Sequence, residues 1–114
     1  MDEFVDIFKS FSDPVRIRIL NLLIQSEQCV CHIVDALKLP QSTISRHLTI
    51  LKNAGIVKTR KDGIWHHYSI SDKYPETSVL TGLIASRSRL EKTLRDDVSN
   101  LTCSCSTDTC KTND

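Results

Sequence analysis

Glycine is scarce in this 114-residue chain, which has only three, at positions 55, 63 and 82. Each lies where a helix stop, a turn or a packing position is expected, so no glycine-rich loop is available to cradle a phosphate. The chain also lacks the Cys-X-X-Cys pattern of thiol–disulfide enzymes, and no pattern supplies a nucleophile with an orienting partner. These absences predict that the protein is not an enzyme.

Long apolar runs are missing as well. No uninterrupted apolar stretch approaches the roughly 20 residues that a membrane-spanning helix needs. The first residues, Met1-Asp2-Glu3, are acidic, and the basic and apolar segments of a secretory signal do not follow them. We therefore expect no membrane association and a cytoplasmic location. There the five cysteines are expected to be thiols or metal ligands rather than disulfides.

Acidic side chains are absent from residues 36–61, which contain six basic residues and so carry a net charge of +6. The rest of the chain has nine basic and fourteen acidic residues, a net charge of −5, so the overall charge of +1 hides a polarised molecule. A concentrated basic region favours a polyanionic partner such as DNA. We expect residues 1–101 to fold as one domain, followed by a cysteine-containing C-terminal tail at 102–114 that has no hydrophobic periodicity.

The segment from residue 29 to residue 55 predicts a helix-turn-helix. An apolar-periodic stretch at 29–37 predicts a short helix, which Pro40 ends because proline lacks an amide donor and restricts the residue before it. In the helix that follows, Ile44, Leu48 and Leu51 recur at i, i+4 and i+7, the spacing of one buried stripe. Gly55 supplies the helix stop. The other side chains of this second helix are suited to base edges and phosphates.

The pattern changes to a period of two after this helix. The β-rich runs at 56–60 and 64–70 flank Lys61-Asp62-Gly63, and Asp-Gly is a strong hairpin signal. A hairpin directly after a recognition helix is the wing of a winged helix, so the expected fold is mainly α with a β-hairpin. The predicted DNA-binding residues on the second helix and the wing are Gln41, Ser42, Thr43, Ser45, Arg46, His47, Lys52, Arg60 and Lys61.

Both ends of the domain carry apolar stripes that predict a homodimer. Near the N-terminus, Phe4, Ile7, Phe8 and Phe11 share one helical face, which suits either core packing or a partner subunit. Residues 76–101 lack glycine and proline apart from Gly82, and their leucines repeat at threes, fours and sevens. A periodic run of this length predicts one long helix that pairs between subunits.

Five short motifs in this order resemble those of ArsR/SmtB-family metalloregulatory repressors. They are Ser-Asp-Pro-Val-Arg at 12–16, Cys-Val-Cys at 29–31, Ser-Arg-His-Leu at 45–48, Leu-Lys-Asn-Ala-Gly at 51–55, and Asp-Gly-Ile-Trp at 62–65 followed by Tyr68. The resemblance implies a winged helix-turn-helix homodimer that represses metal- or arsenic-resistance genes and leaves its operator DNA when the inducer binds. The Cys-Val-Cys motif is most similar to the arsenic-responsive branch.

The resemblance also implies that Cys29 and Cys31 bind the inducer, trivalent arsenic or antimony, as thiolates; no permanent cofactor is expected. Soft sulfur ligands select soft metals and metalloids. Trivalent arsenic favours three sulfurs, so Cys103, Cys105 or Cys110 completes the pair, or the tail holds a site of its own. The sequence leaves both arrangements open.

Other inducers stay open within the same fold. Zinc sensing usually needs histidine and carboxylate ligands on the final helix, and the last histidine, His67, precedes that helix. Cadmium or lead would accept the thiolates, although cadmium- and lead-responsive relatives add N-terminal cysteines and residues 1–28 contain none. Sensing of oxidation by the thiols is a further alternative. In a regular helix the side chains of Cys29 and Cys31 would point about 200° apart, so inducer binding is predicted to unwind the first turn.

Overall fold

The structure is a computed structural model that describes residues 1–101. Its elements are α1 (Asp2–Ser10), α2 (Pro14–Gln25), β1 (Gln28–Cys29), α3 (Val30–Leu37), α4 (Gln41–Asn53), β2 (Val57–Asp62), β3 (Trp65–Ile70), α5 (Pro75–Ser88) and α6 (Lys92–Ser99). The α3–α4 pair followed by the β2–β3 hairpin confirms the predicted winged helix-turn-helix. Within the described range, no helix is both long and apolar enough to cross a bilayer. The predicted tail, with Cys103, Cys105 and Cys110, lies outside the described residues.

Local signals fix where the helices begin and end. The carboxylate of Asp13 accepts hydrogen bonds from the amides of Val15 and Arg16 at 2.9 and 3.1 Å, so it caps α2 as expected of an N-cap aspartate. Helix α3 ends at Leu37 and is capped by Lys38, whose φ of 58° lies in the left-handed region. Pro40 then prevents the helix from continuing, and α4 begins at the next residue. The result is the tight turn that a helix-turn-helix requires.

The inner face of α4 is anchored in the main core. Ile44, Leu48 and Leu51 are fully buried, which confirms the predicted stripe. They belong to the same apolar cluster as Leu20 of α2 and Ile33 of α3. Burying one such side chain contributes about 1.5–3 kcal/mol, so these contacts hold α4 against its supporting helices. The opposite face of α4 is left toward solvent.

The small sheet contains a strand that the sequence did not reveal. Strand order is β1-β3-β2, and the two-residue β1 pairs with β3 in an antiparallel register that sets Cys29 opposite His67. In the β2–β3 hairpin, His67 is also opposite Arg60. Directly opposed residues of an antiparallel sheet project to the same face. Cys29, His67 and Arg60 therefore form one row across the three strands, from the start of α3 to the wing.

The prediction of one long terminal helix is wrong. Helix α5 ends at Ser88, and α6 begins at Lys92 after a bend in which Leu90 is 72% exposed. The bend lets α6 fold back onto α2, where Leu94 and Asp97 become buried. The side-chain amide of Asn21 donates to the Leu94 carbonyl at 3.1 Å and helps to fix α6 there.

Candidate metal centre and nucleic-acid interface

The sulfur atoms of Cys29 and Cys31 lie 2.8 Å apart in the interior of the protein. Cys29 is the last residue of β1 and the N-cap of α3, and its extended backbone has φ −86° and ψ 163°. The helix begins only at Val30, so Cys29 is not a helical residue. The angle of about 200° expected between the side chains of Cys29 and Cys31 in a regular helix therefore does not apply. The prediction that inducer binding must unwind the first turn assumed that both cysteines lie in the helix, and this assumption is wrong.

His32 joins the two cysteines at the start of α3. One ligand atom from each of Cys29, Cys31 and His32 lies within 4.8 Å of the others, and all three side chains are buried. The indole of Trp65, on β3, packs against the two cysteines. Sequence reasoning omitted His32 from the ligand set; its position directly after the Cys-Val-Cys motif was the signal that could have included it.

The distances within this cluster show how a metal or metalloid would fit. A tetrahedral zinc ion with bonds of about 2.3 Å to sulfur holds two sulfurs about 3.8 Å apart. The observed separation of 2.8 Å is about 1 Å shorter, a gap that side-chain rotation can supply. Cys29, Cys31 and His32 thus provide two soft sulfurs and one borderline nitrogen at one place. This donor set fits a thiophilic ion.

A basic, polar surface lies on the outer side of α4 and on the wing. Ser42 and Arg46 are exposed, and Gln41, Thr43 and Ser45 are partly exposed. All six basic side chains of the acid-free segment are exposed, namely Lys38, Arg46, Lys52, Lys58, Arg60 and Lys61. The structure therefore presents every predicted DNA-binding residue except one to solvent.

The exception is His47, which faces inward. It is 7% exposed, and the Nη1 atom of Arg16 donates to its Nδ1 at 3.2 Å. Burial lowers the pKa of His47; the charge of Asp13 opposes this effect, and those of Arg16 and Arg46 add to it. Because an arginine donates to Nδ1, that nitrogen is an acceptor and the ring is neutral. His47 joins α4 to α2 and is not part of the exposed face.

An ion pair that the sequence did not reveal joins the wing to the segment before β1. The guanidinium of Arg60 donates to both carboxylate oxygens of Glu27, with distances of 2.7 Å from Nη2 and 3.2 Å from Nε. This contact lowers the pKa of Glu27 and raises that of Arg60. Glu27 is two residues before Cys29, so a wing cation is tied to the chain that enters the cysteine cluster.

Comparisons with known proteins agree with this architecture. Residues 13–59 match the family model described as bacterial regulatory protein, arsR family. An uncharacterized HTH-type transcriptional regulator of Methanocaldococcus jannaschii is 56% identical over 72 residues, 62% of this chain and 81% of the relative. The arsenical resistance operon repressor of Escherichia coli is 40% identical over 72 residues, which span 62% of each chain.

A solved structure gives the same result for the fold. The transcriptional repressor PagR of Bacillus anthracis superposes with a TM-score of 0.63 and 30% identity, over 73% of this chain and 93% of PagR. The sequence motifs, the winged helix-turn-helix and the relatives all lead to one assignment. The chain belongs to the arsR family of bacterial regulatory proteins.

Proposed function

We propose that the protein is a homodimeric transcriptional repressor that leaves its operator DNA when trivalent arsenic or antimony binds the thiolates of Cys29 and Cys31. The observation that carries this proposal is the pair of sulfurs 2.8 Å apart at the junction of β1 and α3. Helix α3 packs against the recognition helix α4, and β1 pairs with β3 of the wing. A movement of this junction on inducer binding would therefore shift both the recognition helix α4 and the wing.

In this proposal the exposed polar side chains of α4 contact base edges and the wing contacts the DNA backbone. Ser42, Thr43, Ser45 and Arg46 offer hydroxyl and guanidinium donors, and arginine in the major groove pairs well with guanine. Other contacts, from Gln41, Lys52, Arg60 and Lys61, position the protein on the phosphates. One of Cys103, Cys105 and Cys110 in the tail supplies the third sulfur that trivalent arsenic favours, or the tail holds a site of its own.

Exposed apolar side chains on α1 and α5 support the homodimer. Phe4 and Phe8 are each 47% exposed, with their rings stacked edge to face at 4.9 Å. On α5, Val79 and Leu83 are 66% and 62% exposed and lie one turn apart. Exposed apolar surface of this kind is typical of a protein–protein interface. Two subunits joined there would present two recognition helices to a two-fold symmetric site.

Selection of binding sites from a random pool of duplex DNA tests the function, because such a pool contains every short operator sequence. We expect the reduced protein to enrich an inverted repeat with half-sites about 34 Å apart, or a multiple of that distance. Sedimentation at micromolar concentration should give a dimer. Enrichment of no common sequence, or a monomer, would contradict the proposal.

Arg46→Ala should weaken binding to the selected duplex by a factor that corresponds to about 1–3 kcal/mol, and should relax base preference at one position per half-site. Arg46 is exposed on α4, so the variant is expected to fold normally. Arg95→Ala removes the same charge from exposed α6 and serves as the matched control. Equal DNA affinity of the two variants would show that Arg46 does not contact the DNA.

Glu27→Gln should strengthen DNA binding because it releases Arg60 from its carboxylate partner. One additional phosphate contact steepens the salt dependence of log K by about 0.9. The measurement is fluorescence anisotropy of the selected duplex across a series of salt concentrations. Glu91→Gln, which breaks the exposed Arg87–Glu91 pair between α5 and α6, controls for the change in net charge. An identical salt slope for both variants would show that Arg60 does not contact the DNA.

A repressor that senses oxidation is the second candidate, and the same 2.8 Å separation favours it. Two thiols can reduce hydrogen peroxide to two molecules of water while their sulfurs join as a disulfide. Titration of the reduced protein–DNA complex with arsenite and with peroxide separates the two functions. Release by peroxide alone would assign the thiols to redox sensing.

A further inference from the structure

Arg16 joins three helices through the three nitrogens of its guanidinium. Its backbone belongs to the first turn of α2. The Nε atom donates to the carbonyl of Ser10 at 3.0 Å, and Nη2 donates to the carbonyl of Lys9 at 3.2 Å; both acceptors are at the end of α1. The Nη1 atom donates to Nδ1 of His47, on α4, at 3.2 Å. A single side chain thus ties the last turn of α1 to the recognition helix.

The end of α1 has few other contacts to hold it in place. Of the nine residues of this helix, only Ile7 and Ser10 are buried. The last carbonyls of a helix have no partner within it, and the helix dipole favours a cation beside them. The guanidinium of Arg16 supplies both the donors and the charge. Phe4 and Phe8, the exposed aromatic pair of the proposed dimer contact, lie on the same helix.

On α4 the bond from Arg16 fixes the rotation of the helix about its own axis. His47 directly follows the exposed Arg46 and precedes the fully buried Leu48. Neighbouring residues of a helix are about 100° apart around its axis. A rotation of α4 would therefore break the bond to His47 and turn Arg46 away from its present direction. The carboxylate of Asp13 lies 3.9 Å from the same Nδ1, beyond hydrogen-bond distance, so it cannot replace Arg16.

We propose that Arg16 is a positioning residue that sets the recognition helix relative to α1 and, through α1, relative to the second subunit. This role rests on the proposed homodimer that binds operator DNA, and it is independent of the inducer. Arg16 does not contact the DNA, because each of its three nitrogens donates within the protein. The two copies of Arg16 in a dimer hold the two recognition helices at the separation that one spacing of half-sites requires.

The test compares Arg16→Met with Arg95→Met, which removes the same charge from α6. Each full-length chain is titrated by fluorescence anisotropy against the duplex selected from the random pool and against a scrambled duplex of equal length. Arg16→Met should lower affinity for the selected duplex at least about tenfold, the factor that one hydrogen bond of a charged group is worth. Its affinity for the scrambled duplex should equal that of Arg95→Met, because non-specific binding depends on charge and not on the spacing of the helices.

A selected duplex with one base pair inserted between its half-sites measures the geometry directly. The insertion separates the half-sites by about 3.4 Å more and rotates one of them by about 35° around the DNA axis. The unmodified chain should lose affinity on insertion, because its recognition helices are held at one separation. The loss should be several-fold smaller for Arg16→Met. An equal loss for both chains would show that Arg16 does not set the separation.

His47→Leu and His47→Asn keep the role of Arg16 testable if Arg16→Met fails to fold. Leucine suits a buried position but removes the acceptor, so it should reproduce the loss of affinity for the selected duplex. Asparagine offers an amide oxygen close to the position of Nδ1 and should restore most of that affinity. Equal affinity of the two variants would overturn the inference, because the acceptor for Arg16 would then be irrelevant.

Two further results would contradict a positioning role. In one, Arg16→Met binds the selected duplex as tightly as Arg95→Met. In the other, it loses affinity equally for both duplexes and the salt dependence of log K becomes shallower by about 0.9, as expected if Arg16 contacts a phosphate directly. If the unmodified chain enriches no common sequence, the proposed function fails as well. An enriched sequence that Arg16→Met binds normally contradicts the role of Arg16 alone.

Discussion

Replacing Cys31 with serine is expected to abolish the release of DNA by arsenite while leaving DNA binding intact. Cys31 lies in the first turn of α3 and is almost completely buried, with its sulfur next to that of Cys29. Serine has nearly the same shape, but its hydroxyl is a poor ligand for a soft ion. Typical allosteric coupling of about 1–3 kcal/mol changes affinity by about 5–150-fold, and this factor should fall to about one in the variant.

Anisotropy titrations of the selected duplex, with and without saturating arsenite, measure that factor. Cys29→Ser should behave like Cys31→Ser because both sulfurs belong to the same pair. The matched control is the chain with serine at positions 103, 105 and 110, which should keep part or all of the release. If only this control loses release, the sensor lies in the tail and the assignment to α3 is wrong.

Linkage gives a second measurement of the same coupling. If arsenite weakens DNA binding by a given factor, DNA must weaken arsenite binding by that factor. The fluorescence of Trp65, which packs against Cys29 and Cys31, can report arsenite affinity with and without the duplex. If the two factors differ, the arsenite that releases the DNA does not bind at the site beside Trp65.

The local parts of the fold could be predicted from sequence because their signals are local. Asp13 and Pro14 mark the start of α2, and the spacing of Ile44, Leu48 and Leu51 fixes which face of α4 is buried. These signals depend on residues within a few positions of one another, and periodicity captures them. The winged helix-turn-helix followed from such signals in the correct order.

The candidate site could be predicted only in part, because its geometry depends on pairing between distant strands. Two residues of β1 are too short for a periodic pattern, yet their pairing with β3 holds Cys29 in an extended conformation outside the helix. That placement turns its sulfur toward Cys31. The inward position of His47 likewise depends on Arg16, which is 31 residues away in the chain.

The break between α5 and α6 could not be predicted from the sequence either, because it also depends on contacts between residues that are far apart in the chain. Leucine spacing alone cannot tell a helix that pairs with a partner subunit from one that folds back on its own domain. In the structure, α6 is joined to α2 by a polar contact across 79 positions, in which Nε and Nη2 of Arg18 each donate to a different carboxylate oxygen of Asp97 at 2.9 Å. This contact raises the pKa of Arg18.

Arg18→Met is expected to be the most destabilising single change outside the apolar core. It leaves the charge of Asp97 in a position that is only 2% exposed, with its arginine partner gone. Removing one partner of a buried ion pair costs about 3–5 kcal/mol, because the remaining charge has lost its compensation. Arg18 also contributes a 3.4 Å hydrogen bond to the Leu37 carbonyl at the end of α3, so the loss extends to the helix-turn-helix.

Urea denaturation at one fixed protein concentration measures the effect, since dimerisation makes stability depend on concentration. Arg87→Met is the matched control: its pair with Glu91 is exposed and spans the bend between α5 and α6, and exposed pairs contribute about 0–1 kcal/mol. The double variant Arg18→Met/Asp97→Leu should recover most of the loss because no buried charge remains. If Arg18→Met costs no more than Arg87→Met, the ion pair does not hold α6 in place, and the apolar contacts of Leu94 and Val98 must account for the fold-back.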